Sequence, residues 1–137
     1  PHGRELMIGV LHDAVFGPAI SFGSGGVAVE VHRDRAVSLP PLNAPLARAT
    51  IHATRAARHL GAFRDLPPAN EEAIIEVLLR VSELVCELPE IEELDINPLL
   101  ADESGAVALD ARVVLKRRTA PLTTCVPADA LTTAWLE

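Results

Sequence analysis

Asp95, Asn97 and Asp110 stand out in the run from Glu93 to Leu115, "ELDINPLLADESGAVALDARVVL", which otherwise reads as two core strands. Each is a poor strand-interior residue and costly to bury without a partner. Alternation accounts for their placement. From Leu94 to Leu99 the apolar Leu94 and Ile96 alternate with Asp95 and Asn97. From Val107 to Val113 the apolar Val107, Leu109, Ala111 and Val113 alternate with Asp110 and Arg112, so each strand has one polar face. The connection "ADESGA" invites a tight hairpin. A turn centred between Glu103 and Ser104 sets Asn97 opposite Asp110 and Asp95 opposite Arg112, with Cβ atoms about 5 Å apart. Pro98 cannot donate to a ladder, so the Asn97 strand is expected to be irregular or unpaired there.

An amide oxygen and a carboxylate converging on one point suit a hard cation. Mg²⁺ takes oxygen ligands, keeps several waters and commonly uses only one or two protein groups beside substrate phosphates. The same spacing also describes an ordinary solvated sheet face, with Asp95 and Arg112 a surface pair worth at most about 1 kcal/mol. Spacing alone leaves both readings open. Charge narrows the partners: residues 71–110 carry twelve Asp or Glu against the single Arg80, within a net charge of −7. Phosphate-backbone binding needs clustered Lys and Arg, and aromatics at 3 % offer no stacking platform, so no nucleic acid is expected.

The elements that must hold these residues follow from periodicity. "ELMIGVL", "PAISF" and "VAVEV" are strand-like, with "FGSGG" as a turn between the last two, which predicts a three-stranded meander. "NAPLARATIHATRAARHL" brings Leu46, Thr50, Ala53, Ala57 and Leu60 round at helical spacing, with Asn43 as cap and Pro45 in the first turn. A second helix over "NEEAIIEVLLRVSELVCELPE" stripes Ile74, Val77, Leu78, Val81, Leu84, Val85 and Leu88, with Glu71 and Glu72 at its positive end. Strands, two helices, then strands spell an α+β fold with a mostly antiparallel sheet. Residues 3–115 form the expected domain, and 116–137 lose periodicity and read as a linker or tail. The 137 residues suffice for one core. Pro1 in place of Met reads as a start inside a longer protein. No apolar run approaches the roughly 20 residues that span a bilayer, so no membrane partner is expected. Cys86 and Cys125 have no metal or disulfide spacing, which fits a reducing, cytoplasmic compartment.

Among the remaining candidates, Gly25 and Gly26 in "FGSGG" have amides that can cradle an anion, but no Lys-Ser/Thr follows and no helix starts there. His12 beside Asp13 is adjacency without a nucleophile. His32, His52 and His59 read as surface residues.

"ELDINPLL" followed by "GAVALDARVVL" resembles the closing strands of the ATP-grasp domain in NDP-forming acyl-CoA synthetases. "GRELMIGVLHDAVFGPAISFGSGGVAVEV", with its D-x-x-F-G-P and F-G-x-G-G segments, is similar to the ADP-forming acetyl-CoA synthetase branch. The resemblance covers Gly3 to Leu115. It implies the C-terminal subdomain of an ATP-grasp fold, with Asn97 and Asp110 holding the nucleotide's Mg²⁺. It implies a reversible enzyme that converts acyl-CoA, phosphate and ADP to free acid, CoA and ATP through acyl phosphate and a phosphohistidine. None of the five histidines here matches that phosphohistidine. Nucleotide-contact candidates are Arg112, which either approaches a phosphate or neutralises Asp95, and Glu30, which faces the nucleotide cleft or solvent. Gly25 and Gly26 belong to a loop that covers the nucleotide or simply turns the chain. The expected partners are ATP or ADP and CoA-binding domains of the same protein or of a partner subunit. Some relatives are fused to a GNAT acetyltransferase, which leaves a regulatory, non-catalytic domain as the alternative. A purely structural dimerisation module is a third.

Overall fold

The computed structural model describes residues 3–26, 34–62 and 65–116. Three strands open the chain: β1 (Arg4–Asp13), β2 (Gly17–Ser24) and β3 (Arg35–Ser38). Helix α1 (Ala44–His52), a 3₁₀ turn (Ala56–His59) and helix α2 (Glu71–Glu87) follow. Strands β4 (Ile91–Ala101), β5 (Ala106–Ala108) and β6 (Ala111–Leu115) close the sheet. Its order is β3-β2-β1-β4-β5, with β6 also on β4, and every pairing is antiparallel. The expected α+β architecture with two helices is therefore observed.

The core lies between the helices and one sheet face. Leu6, Ile8 and Val10 of β1 and Ile20 and Phe22 of β2 alternate onto that face, where they meet Ile51 of α1 and Ile74, Leu78 and Val85 of α2. The helices start as their sequences dictate. The Asn43 side chain accepts from the Leu46 amide at 2.9 Å and Asn70 accepts from the Ala73 amide at 3.1 Å, each satisfying a donor the helix cannot. Arg48 joins the two helices through Glu71 at 2.6 Å and through Glu72, and His52 adds a contact to Glu71 at 3.0 Å.

Several expectations are corrected. "FGSGG" is not a hairpin turn, because Phe22, Gly23 and Ser24 continue β2, and the strand beside them is "RAVS", Arg35–Ser38. "VAVEV", including Glu30, lies outside the described residues, as does residue 117 onward. Helix α1 stops at His52, and its buried face is Ala47, Thr50 and Ile51, with Leu46 48 % exposed. Thr50 is tolerated inside because its hydroxyl donates to the Leu46 carbonyl and meets the Ser38 hydroxyl. On α2, Leu84 falls outside the core, as does Leu88 just past its end, and Ile75 and Ser82 lie within it. Ser82 is buried because its hydroxyl accepts from the Leu42 amide at 2.8 Å. The last strand is broken into β5 and β6. Its apolar residues Val107, Leu109 and Val113 are exposed.

Candidate metal and nucleotide site

The hairpin has the register that alternation predicts. Asp95 lies opposite Arg112, Ile96 opposite Ala111, Leu99 opposite Ala108 and Ala101 opposite Ala106. The Asn97 amide donates to the Asp110 carbonyl at 3.2 Å, so these two residues face each other where β5 and β6 are interrupted. Asp102 holds the turn. Its carboxylate accepts from the Ser104 hydroxyl (2.6 Å) and from the Ser104 and Gly105 amides (2.8 and 3.1 Å). These bonds, the Ser104 hydroxyl first, hold the acid below the usual carboxylate range.

Against β1 the same point on β4 is a bulge. Leu6 pairs with Leu99 but Ile8 pairs with Ile96, so Asn97 and Pro98 together oppose Met7. The extra residue accommodates a proline that has no N–H to give β1. It also resets the alternation, and Leu99 rather than Pro98 enters the core.

The Asn97 side chain is half-buried, and its Oδ1 accepts from the Gly26 amide at 2.9 Å. Gly26 has φ +68°, and a Cβ there would lie 1.8 Å from the Glu5 carboxylate. Gly25 donates to the Glu5 carbonyl at 2.9 Å, and a Cβ on it would meet the Leu6 carbonyl oxygen at 2.1 Å. Only glycine fits such backbone contact. The glycine pair is thus fastened to the sheet beside Asn97, a link that spacing within the hairpin gave no signal for.

Arg112 does not pair with Asp95. Its guanidinium donates to Glu93 at 2.9 Å, because the longer glutamate reaches the diagonal neighbour. With the arginine 65 % and the glutamate 39 % exposed, the pair is worth at most about 1 kcal/mol. The His12–Asp13 adjacency is also resolved. Asp13 is committed to the β1–β2 turn through the Phe16 and Val15 amides (3.0 and 2.8 Å), which lower its pKa. His12 Nδ1 instead lies 3.4 Å from the Glu92 carbonyl.

The donor set fits a magnesium ion. Asn97 Oδ1 has a second lone pair beside the one that Gly26 uses, and the Asp110 carboxylate is exposed on the same sheet face. Among the described residues no group of three or more His, Cys, Asp or Glu could form a richer metal cage. Two oxygen ligands from protein, completed by phosphates and water, match how Mg²⁺ is commonly held.

Residues 1–115 match the family model described as an ATP-grasp domain. The chain belongs to the ATP-grasp family. Over 115 residues it is 42 % identical to the β subunit of ADP-forming acetate–CoA ligase I of Pyrococcus furiosus, covering 84 % of this chain and 50 % of that protein. The β subunit of ligase II from the same organism is 43 % identical over 117 residues, covering 83 % of this chain and 50 % of that protein. Among solved structures, the dinucleotide forming acetyl-coenzyme A synthetase 1 of Ca. Korarchaeum cryptofilum superposes with a TM-score of 0.81 at 40 % identity, covering 85 % of this chain and 55 % of that one. It was solved with coenzyme A and Mg-AMPPCP, its phosphohistidine segment pointing towards the nucleotide binding site. The chain spans about half the length of these β subunits. The resemblance read from the two end motifs is therefore upheld, and the fold is that of an ATP-grasp subdomain from ADP-forming synthetases. No helix among the described residues is long and apolar enough to cross a membrane.

Proposed function

We propose that this chain is the Mg²⁺- and nucleotide-binding part of an ADP-forming acyl-CoA synthetase that moves a phosphoryl group between ATP and a phosphohistidine. The observation that supports the reading is that Asn97 lies opposite Asp110 through its backbone amide while its side chain holds the Gly26 amide, which makes the three residues neighbours. Asn97 and Asp110 would hold the ion, which when bound neutralises charge on the phosphates during transfer. Gly25 and Gly26, whose amides are spent on the Glu5 carbonyl and Asn97 Oδ1, bring side-chain-free backbone beside the metal ligands and leave room there for a phosphate. Arg112, half neutralised by Glu93, adds a cation two residues beyond Asp110. Glu30, outside the described residues, remains a nucleotide-contact candidate on sequence grounds. The similar β subunits and the synthetase solved with coenzyme A support CoA-binding domains or subunits as partners. A cytoplasmic location fits phosphorylated and CoA-linked substrates.

The relatives described above are ligases or synthetases by name, which favours catalysis over a regulatory domain fused to an acetyltransferase. The test is CoA-dependent release of ADP from ATP and acetate by the full-length protein, with Asp110→Ala compared after both are shown to be folded. Turnover that the substitution abolishes supports the assignment. A folded wild type inactive across several acids, or an Asp110→Ala variant with undiminished turnover, overturns it.

A further inference from the structure

The sheet face that carries Asn97 and Asp110 also carries an arginine that neither the hairpin nor the glycine motif points to. Cross-strand register lines up two rows on this face. Arg35 faces Gly23, Gly23 faces Met7, Met7 faces the Asn97 bulge, and Asn97 faces Asp110. The neighbouring row runs Val37, Ser21, Gly9, Asp95, Arg112. Between the ends of these rows lies a trough of about 210 Å³, floored by Gly9 and Ser21 and bounded by Met7, Arg35, Asp95 and Arg112.

The floor is kept low by small residues. A Cβ on Gly9 would meet the Ser21 hydroxyl at 2.8 Å, and one on Gly23 would meet the Asp34 carbonyl oxygen at 2.0 Å and the Arg35 Cγ at 3.3 Å. The Arg35 stem thus passes over Gly23 towards the trough. Arg112 is matched by Glu93, whereas the Arg35 side chain makes no hydrogen bond or ion pair to the described residues. An exposed guanidinium beside a floor of small residues is a ready donor for a phosphoryl oxygen.

We propose that Arg35 binds the nucleotide's phosphate chain from the side opposite the metal ligands, an inference that rests on the nucleotide-site reading above. The reach is consistent. Arg35 and Asn97 are three strand spacings apart, about 14 Å. An extended arginine covers roughly half of that, and a chain of phosphates ending on an ion at Asn97 and Asp110 covers the remainder. Met7 and Gly23, between the two ends, put no charge in the way. Periodicity carries no such signal, because "RAVS" is a four-residue strand that it passes over.

The decisive measurement is calorimetric binding of Mg-ADP, AMP and inorganic phosphate to full-length wild type, Arg35→Ala and Arg35→Lys. Loss of a charge-assisted hydrogen bond lowers Mg-ADP affinity roughly tenfold or more in Arg35→Ala. Arg35→Lys recovers part of it, because the charge remains without the fork. AMP, with one phosphate and no reach to both ends, binds all three proteins alike. Equal Mg-ADP affinity in wild type and Arg35→Ala overturns the proposal, as does an equal loss for AMP, which would mark a structural role. A loss confined to inorganic phosphate also overturns it, since the arginine would then serve a free anion. If wild type itself binds no Mg-ADP, it is the underlying nucleotide-site reading that fails.

Discussion

Removing the Asn97 side chain should release Gly26, and the size of the effect follows from one hydrogen bond. Gly26 N–H donates to Asn97 Oδ1 at 2.9 Å in a half-buried setting, and both groups are neutral. Such a bond contributes about 1 kcal/mol net, so Asn97→Ala should raise the opening equilibrium of the Gly26 amide roughly fivefold. The assay is amide hydrogen exchange of the full-length protein, reading Gly26 against the α2 amides, which report the intact core and should not change. Asn97→Asp supplies an ionised acceptor at the same place, so protection should be kept or increased. In the same variants Mg-ADP affinity should fall in Asn97→Ala and persist in Asn97→Asp, because a carboxylate serves both the amide and a hard cation. Unchanged Gly26 exchange in Asn97→Ala would refute the claim that this side chain fastens the glycine pair. Equally fast exchange in the alanine and aspartate variants would do the same.

Three further outcomes are expected. Leu78 is fully buried between α2 and the sheet, so Leu78→Ala should lower unfolding free energy by about 2–5 kcal/mol, measured by denaturant titration. The Asp102 carboxylate is held below its unfolded pKa by Ser104 and Gly105, so its contribution is fully present above about pH 4 and lost as pH falls through the lower folded value. Wild type and Asp102→Ala should therefore differ in stability at neutral pH and converge in strong acid; a gap independent of pH would contradict the assignment. A double-mutant cycle on Glu93 and Arg112 should return a coupling no larger than about 1 kcal/mol that shrinks with added salt, given the exposure of both partners.

Local pattern determined much of this protein. Asn43 and Asn70 cap their helices because a side-chain acceptor next to an apolar stripe satisfies donors within the same few residues. The register that sets Asp95 opposite Arg112 and Asn97 opposite Asp110 was readable for a related reason. A tight turn at Glu103–Ser104 leaves one register in which both polar faces coincide. Tertiary structure alone decided what depends on distant chain. The Gly26–Asn97 bond joins residues 71 apart, and the positive φ at Gly26 has meaning only with Glu5 packed beneath it. Alternation treats every strand as equally covered, so it could not show that β6 leaves Val113 exposed at the sheet's outer edge. Nor could it set Arg35 in the same row as Asn97 and Asp110, because that row crosses four strands before it reaches Asp110, and the register of each pair must be settled first.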